Sequence, residues 1–184
     1  MNAPTLMPAK FVDPVLTARG ERRASVHLKG LETLWFNTGT LCNITCQNCY
    51  IESSPSNDRL VYLSQADVTT YLDEVRVERL PVRMVGFTGG EPFMNRDMIA
   101  ILTETLERGF ETLVLTNAMR PMMRRQEQLR RLREAHGGLL RFRVSLDSHH
   151  AAVHDAERGA GSFAKAMEGL RFLSREGFQI EIAG

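Results

Sequence analysis

The chain has 184 residues, of which 43% are hydrophobic and 24% are charged, and its formal net charge is +1. This composition is typical of a globular domain and excludes a disordered chain. A charge near zero gives no electrostatic reason to expect a nucleic-acid partner. No apolar run reaches the roughly 20 residues of a membrane-spanning helix, and residues 1–10 lack the pattern of a secretory signal. We therefore expect a cytoplasmic protein without a membrane partner.

Strands and helices alternate in a domain that we expect to span residues 31–184, after a lead-in segment of residues 1–30. The first predicted strand, residues 34–36, runs into a loop that contains three cysteines. A helix is predicted next, because Ser64 and Asp67 have the spacing of a capping box at a helix start.

Four more strands and three more helices are predicted along the rest of the chain. The strands are short apolar or alternating runs at residues 84–87, 112–115, 140–146 and 178–182. The helices show apolar periodicity between Asn95 and Gly109 and at residues 124–136 and 162–176. Asn95 is expected to cap its helix, and Ala135 to lie on an apolar helix face. This alternation predicts an α/β fold with a parallel sheet and right-handed crossovers.

Polar and glycine-rich segments follow the predicted strands, where active sites of parallel α/β folds lie. They are the cysteine loop, the Thr-Gly-Gly-Glu-Pro segment of residues 88–92, the pair Thr116 and Asn117, and residues 145–147. In the Thr-Gly-Gly-Glu-Pro segment, the glycines allow the backbone to approach a ligand closely. Their carbonyls, with a carboxylate nearby, can accept hydrogen bonds from an ammonium group.

Cys42, Cys46 and Cys49 are the only cysteines in the chain. An odd number of clustered thiols in a reducing compartment indicates metal binding rather than a disulfide framework. Three thiolates so close together can ligate three irons of a cubane cluster and leave the fourth iron open. A structural zinc site is the alternative, although zinc takes four ligands and no further Cys or His lies close by in the sequence.

The Cys-x3-Cys-x2-Cys spacing after a first strand, with Gly-Gly-Glu-Pro after the second, resembles the radical S-adenosylmethionine superfamily over about residues 33–184. The resemblance implies a [4Fe–4S] cluster on the three cysteines, with S-adenosylmethionine on the open iron. It implies reductive cleavage of S-adenosylmethionine to a 5′-deoxyadenosyl radical, which abstracts hydrogen from a substrate. The sequence does not identify that substrate, for which a peptide, a protein and a cofactor precursor are the candidate classes. A reductant such as flavodoxin or ferredoxin is the implied partner.

The resemblance also implies which residues contact S-adenosylmethionine. The candidates follow the predicted strands or the third cysteine, and they are Tyr50, Thr88, Gly89, Gly90, Glu91, Pro92, Thr116, Asn117, Ser145, Asp147 and Arg158. For the polar residues after the third and fourth strands, the alternative is a helix cap, and for Asp147 a further alternative is contact with the substrate. Arg158 is expected near the carboxylate of the cofactor. The alternative for Arg158 is an ion pair on the protein surface. Asn48 departs from the family, because many members have an aromatic residue before the third cysteine. No catalytic residue is assigned.

Relatives form a partial (β/α)6 TIM-like barrel, of which about five strands and four helices are expected here. We therefore expect a core domain that is incomplete at its C-terminus, or a sheet completed by something else, because an unpaired edge favours aggregation. A stable monomer in size-exclusion chromatography would contradict this expectation. The alternative functions are a non-catalytic cluster-binding or S-adenosylmethionine-binding fragment and a structural zinc domain.

Overall fold

The computed structural model describes residues 12–184, so the expectation about residues 1–10 lies outside the described residues. The chain divides between Gly30 and Leu31 into two units, which are described separately. In the first unit, Leu16 and Arg22 form an isolated antiparallel bridge. The second unit contains the sheet and the helices.

Five strands form one parallel sheet in the order β1-β2-β3-β4-β5. They are β1 Thr33–Asn37, β2 Met84–Thr88, β3 Glu111–Thr116, β4 Leu140–Ser145 and β5 Gln179–Ala183. Each end lies within one residue of the predicted end. The α/β class and the parallel sheet are therefore confirmed. Completion of the sheet beyond β5 stays a prediction.

Six α-helices lie among the described residues, two more than the sequence predicted. They are α1 Gln65–Val77, α2 Met98–Glu107, α3 Arg120–Met123, α4 Gln126–His136, α5 Ala151–Arg158 and α6 Ser162–Arg175. The two that were missed are α3, which is a single turn, and α5. The only buried residue of α5 is His154, so this helix lacks the apolar periodicity on which the helix predictions depend. Among residues 12–184, no helix is long and apolar enough to cross a membrane.

The predicted start of α1 is confirmed, because Ser64 and Asp67 form a reciprocal capping box. The predicted cap of α2 is wrong. Asp97 occupies the cap position, and Asn95 follows a 3-10 turn. The side chain of Asn95 accepts from the Asp97 N–H at 2.9 Å, just before α2, and donates to the Leu63 carbonyl at 2.7 Å, so it connects the start of α2 to the segment before α1.

The hydrophobic core lies between the sheet and the helices. The strands contribute alternate residues to it, including Phe36, Phe87, Val114 and Phe142. The helices contribute residues at helical spacing, including Leu72, Leu102, Leu129 and Leu173. Burial of each such side chain stabilises the fold by roughly 1.5–3 kcal/mol. Ala135, in contrast, is exposed, because it lies on the side of α4 away from the core.

The other face of the sheet is more polar. Trp35 lies here with 44% of its surface exposed, and its ring covers Gly86, where a Cβ would overlap it. Arg143 donates to Glu181 at 2.8 Å across two neighbouring strands. This face leads at the carboxyl ends of the strands into the cavity described next.

Candidate cluster and cofactor site

A cavity of about 490 Å³ opens at the carboxyl ends of β1 to β4. All three cysteines line it. Nine of the eleven predicted cofactor-binding residues also line it: Tyr50, Thr88, Gly89, Gly90, Thr116, Asn117, Ser145, Asp147 and Arg158. The other two, Glu91 and Pro92, are buried outside the lining. Parallel strands bring their carboxyl ends to one edge of a sheet, so segments far apart in sequence meet there.

The cysteine loop is held against the segment that follows it. The backbone N–H of Cys42 donates to the Ser54 carbonyl at 3.0 Å, and that of Glu52 donates to the Cys49 carbonyl at 3.0 Å. Cys42 is buried, the other two cysteines are partly exposed, and none is in a disulfide. The three thiols are therefore free and open to one shared space.

Each cysteine sulfur accepts a hydrogen bond from the chain. The donor–acceptor pairs are Asn117 Nδ2 with Cys42 Sγ at 3.8 Å, Arg158 Nη1 with Cys46 Sγ at 3.9 Å, and the Ser53 backbone N with Cys49 Sγ at 3.2 Å. Such donors stabilise negative charge on sulfur. Three free thiols with their own N–H donors in one cavity are the donor set of a cluster held by thiolates, although no group of three such side chains among residues 12–184 is arranged to hold a metal ion as it stands.

Burial disfavours the charged form of two of these thiols. It raises the pKa of Cys42 to about 11 and also raises the pKa of Cys46, where the Arg158 charge opposes it. Without a metal, the Cys42 thiol is therefore protonated at neutral pH. Because only thiolates ligate metal, occupation of the site must release protons.

The two glycines of the Gly-Gly-Glu-Pro segment lie against the backbone that leads into the cysteine loop. The Gly90 N–H donates to the Gly39 carbonyl at 2.8 Å. A Cβ at Gly89 would lie 2.6 Å from that same oxygen, and a Cβ at Gly90 would overlap the Leu41 carbonyl. From the sequence alone, the presence of these glycines was explained by the close approach of a ligand. The close packing of the chain's own backbone also requires them.

Glu91 is buried and its carboxylate is engaged by the chain itself. It accepts hydrogen bonds from Thr116 Oγ1 at 2.8 Å and from the backbone N–H groups of Asn117 at 2.9 Å and Phe93 at 3.2 Å. Burial raises the pKa of Glu91 to about 7, while these donors act in the opposite direction. The Glu91 carboxylate therefore connects the end of β2 to the end of β3.

The side chain of Asn117 makes one contact in the turn before α3, whose cap position is Met119, and others on the cavity side. Its Oδ1 accepts from the Met119 N–H at 3.1 Å, in the turn that begins α3. Its Nδ2 lies on the cavity side, where it donates to Asn43 Oδ1 at 2.9 Å and to Cys42. The local turn thus orients an amide toward the buried cysteine.

The end of α5 closes the other side of the cavity. Arg158 donates to both carboxylate oxygens of Asp147, at 2.6 and 2.8 Å, and this guanidinium holds the pKa of Asp147 below its usual range. The Arg158 side chain is 17% exposed and that of Asp147 is 26% exposed, so the ion pair is partly buried in the cavity wall. The backbone and side chain of Glu157 accept from Gln47 N at 2.9 Å and Asn48 Nδ2 at 2.7 Å.

Sequence reasoning missed several residues that line the cavity, namely Ile44, Asn48, Ser53, Leu115, Val153 and Glu157. Of these residues, Ser53 has a polar group that the described chain leaves unpaired. Its side chain is buried, and its hydroxyl has no hydrogen-bond partner within the described chain. For Glu157, the one indication in the sequence was its position directly before Arg158, a predicted cofactor-binding residue.

A parallel α/β fold with three free cysteines in a cavity at the strand ends defines a protein that binds a metal cluster or cofactor. Residues 36–183 match the sequence model of the Radical SAM superfamily. The chain belongs to this superfamily, whose cofactors are a [4Fe–4S] cluster and S-adenosylmethionine.

Relatives with assigned names match most of the chain. It is 32% identical over 143 residues to the antilisterial bacteriocin subtilosin biosynthesis protein AlbA of Bacillus subtilis, covering 77% of this chain and 30% of AlbA. It is 31% identical over 137 residues to the mycofactocin maturase MftC of Mycolicibacterium smegmatis, covering 74% of this chain and 33% of MftC. The chain thus spans about a third of the length of these relatives.

The fold is also similar to a solved structure, that of Streptococcus suis SuiB bound to S-adenosylmethionine. The TM-score is 0.67 at 19% sequence identity, and the match covers 83% of this chain and 33% of SuiB. SuiB has also been solved with its precursor peptide SuiA. At this identity the similarity shows the fold alone.

Proposed function

We propose that the chain is the core of a radical S-adenosylmethionine enzyme in which Cys42, Cys46 and Cys49 hold the [4Fe–4S] cluster. When bound, the reduced cluster supplies the electron that cleaves S-adenosylmethionine to a 5′-deoxyadenosyl radical. The observation that carries this proposal is that the three cysteines share one cavity with Gly89 and Gly90 and with the ends of β3 and β4.

The chain's own residues have binding and positioning roles in this proposal. Thr88 and the backbone of Gly89 and Gly90 face the cavity beside the cysteines, where they suit the methionine amino group. Ser145 and Asn117 offer polar side chains to the cofactor at the neighbouring strand ends, and Tyr50 lies at the exposed rim. Glu91 acts indirectly, because its carboxylate holds the segment that contains Thr116 and Asn117.

We propose a peptide as the substrate class and a flavodoxin or ferredoxin as the reductant. AlbA is named for the biosynthesis of a bacteriocin, and SuiB binds a precursor peptide. Other relatives are named as heme synthases and GTP cyclases, so a cofactor precursor is the second class to test.

Anaerobic reconstitution with iron and sulfide, followed by dithionite and S-adenosylmethionine, tests the reaction. We expect iron uptake and release of 5′-deoxyadenosine, measured by liquid chromatography with mass spectrometry. Cys46→Ala should lose both the cluster and the product, because it removes one of three thiolates. Ser56→Ala, an exposed position in the same loop, is the control and should retain both.

The other outcomes identify the alternatives. A stable cluster without cleavage would indicate a binding fragment, and bound zinc with no iron would indicate a structural zinc domain. Cleavage retained in Cys46→Ala would refute the ligand assignment.

A further inference from the structure

The guanidinium of Arg158 divides its donors between two groups. Nε and Nη2 donate to Asp147 at 2.6 and 2.8 Å, and Nη1 donates to Cys46 Sγ at 3.9 Å. The planar fork with which an arginine binds a carboxylate is therefore filled by Asp147. From the sequence, we expected the carboxylate of S-adenosylmethionine to bind this guanidinium. That contact stays a prediction, and the remaining amino group, Nη1, faces Cys46.

Both members of this pair are partly buried, because side-chain exposure is 17% for Arg158 and 26% for Asp147. Charges in such positions are screened less by salt than exposed ones. The pair is also fixed in place, because the backbone N–H of Gln47, next to Cys46, donates to the carbonyl of Glu157, next to Arg158. Arg158 and Asp147 are thus held near one thiolate of the proposed cluster.

We propose that the Asp147–Arg158 pair sets the reduction potential of the cluster through Cys46. The inference rests on the proposed function and adds to it. Reduction adds one negative charge to a cluster. A cation that donates to a ligating sulfur stabilises the reduced form and raises the potential, and a nearby carboxylate lowers it. Arg158 raises the potential, and Asp147 limits that rise by neutralising the cation.

The test is a redox titration of the reconstituted chain, with the reduced cluster measured by electron paramagnetic resonance. Arg158→Met removes the charge and the donor. It should lower the equilibrium constant for reduction at least tenfold, which is about 59 mV for one electron. Asp147→Asn leaves the Arg158 charge uncompensated and should shift the potential in the opposite direction.

Two further variants separate the effect of charge from other effects. Arg158→Lys keeps a cation near Cys46 and should shift the potential less than Arg158→Met. Arg131→Met makes the same change of net charge on the exposed side of α4 and should leave the potential unchanged. Iron and sulfide content per chain are matched before the potentials are compared.

Opposite shifts in Arg158→Met and Asp147→Asn support the proposal. Shifts in the same direction, or potentials equal to that of Arg131→Met, overturn it. If Arg158→Met assembles no cluster, Asp147→Asn decides alone, and an unchanged or lowered potential overturns the proposal. A wild-type chain with no reducible cluster refutes the proposed function as well. A wild-type chain that releases 5′-deoxyadenosine while its variants show no shift refutes this inference alone.

Discussion

Different interactions stabilise the two sides of the cavity. On the glycine side, formed by the ends of β1 to β3, Gly89 and Gly90 pack against backbone carbonyls and Glu91 is buried. On the α5 side, partly exposed side chains of opposite charge or polarity meet, as in the Asp147–Arg158 pair. Close backbone packing tolerates no added atom, whereas an ion pair can be changed without displacing the chain. We therefore expect the glycine side to determine stability and the α5 side to adjust electrostatics.

The largest expected effect is that of Gly90→Ala. A Cβ there would overlap the Leu41 carbonyl, and that backbone has no flexible end that can move away. We expect the free energy of unfolding to fall by more than about 3 kcal/mol, the upper end of the usual range for overpacking. Urea denaturation followed by circular dichroism measures it.

Gly138→Ala is the matched control for this change. The nearest atom to a Cβ at Gly138 is Nε2 of the Gln179 side chain at 3.2 Å, which can move. We expect a change below about 1 kcal/mol. Equal losses in the two variants would show that backbone packing does not distinguish the glycine side.

The next effect is a dependence of stability on pH that comes from Glu91. Its pKa is about 7 in the folded chain, against 4.5 as the ordinary value. Between these values the folded state binds more protons than the unfolded state, so stability falls as pH rises. At about 1.4 kcal/mol for each unit of pH, this interval corresponds to roughly 3 kcal/mol.

Glu91→Gln removes this ionisation. We expect the stability of the wild-type chain relative to Glu91→Gln to be greatest below pH 4.5 and to decrease as pH rises through about 7. Urea denaturation at a series of pH values measures the difference. Glu134→Gln, at an exposed position of α4, should show no such trend. A constant difference between wild type and Glu91→Gln would contradict the prediction.

The smallest expected effect is that of Asn48→Ala on the α5 side. This change removes the 2.7 Å hydrogen bond to Glu157, which is exposed to solvent. We expect a loss of about 0.5–1 kcal/mol and full retention of iron after reconstitution. A loss as large as that of Gly90→Ala, or loss of the cluster, would show that the α5 side is also structural.

The strands and the cysteine loop could be predicted because their signals are local in sequence. Short apolar runs such as residues 84–87 and the spacing of the three cysteines can be identified without knowledge of the rest of the chain. The helix α5 could not be predicted this way, because the residue that it buries is His154 rather than an apolar one. Asn95 lies two residues before the actual cap, Asp97, and its long-range bond to the Leu63 carbonyl, 32 residues away, has no local signal in the sequence.

By itself, then, the sequence determined which residue types stand at each strand end and hence the family and its cofactors. Only the tertiary structure decided what those residues contact. The carboxylate of Glu91 faces donors 25 and 26 residues further along the chain, and Arg158 faces a sulfur 112 residues earlier. Hydrogen bonds and charges act over a few ångströms of space, and separation along the sequence does not reveal which groups the fold brings that close.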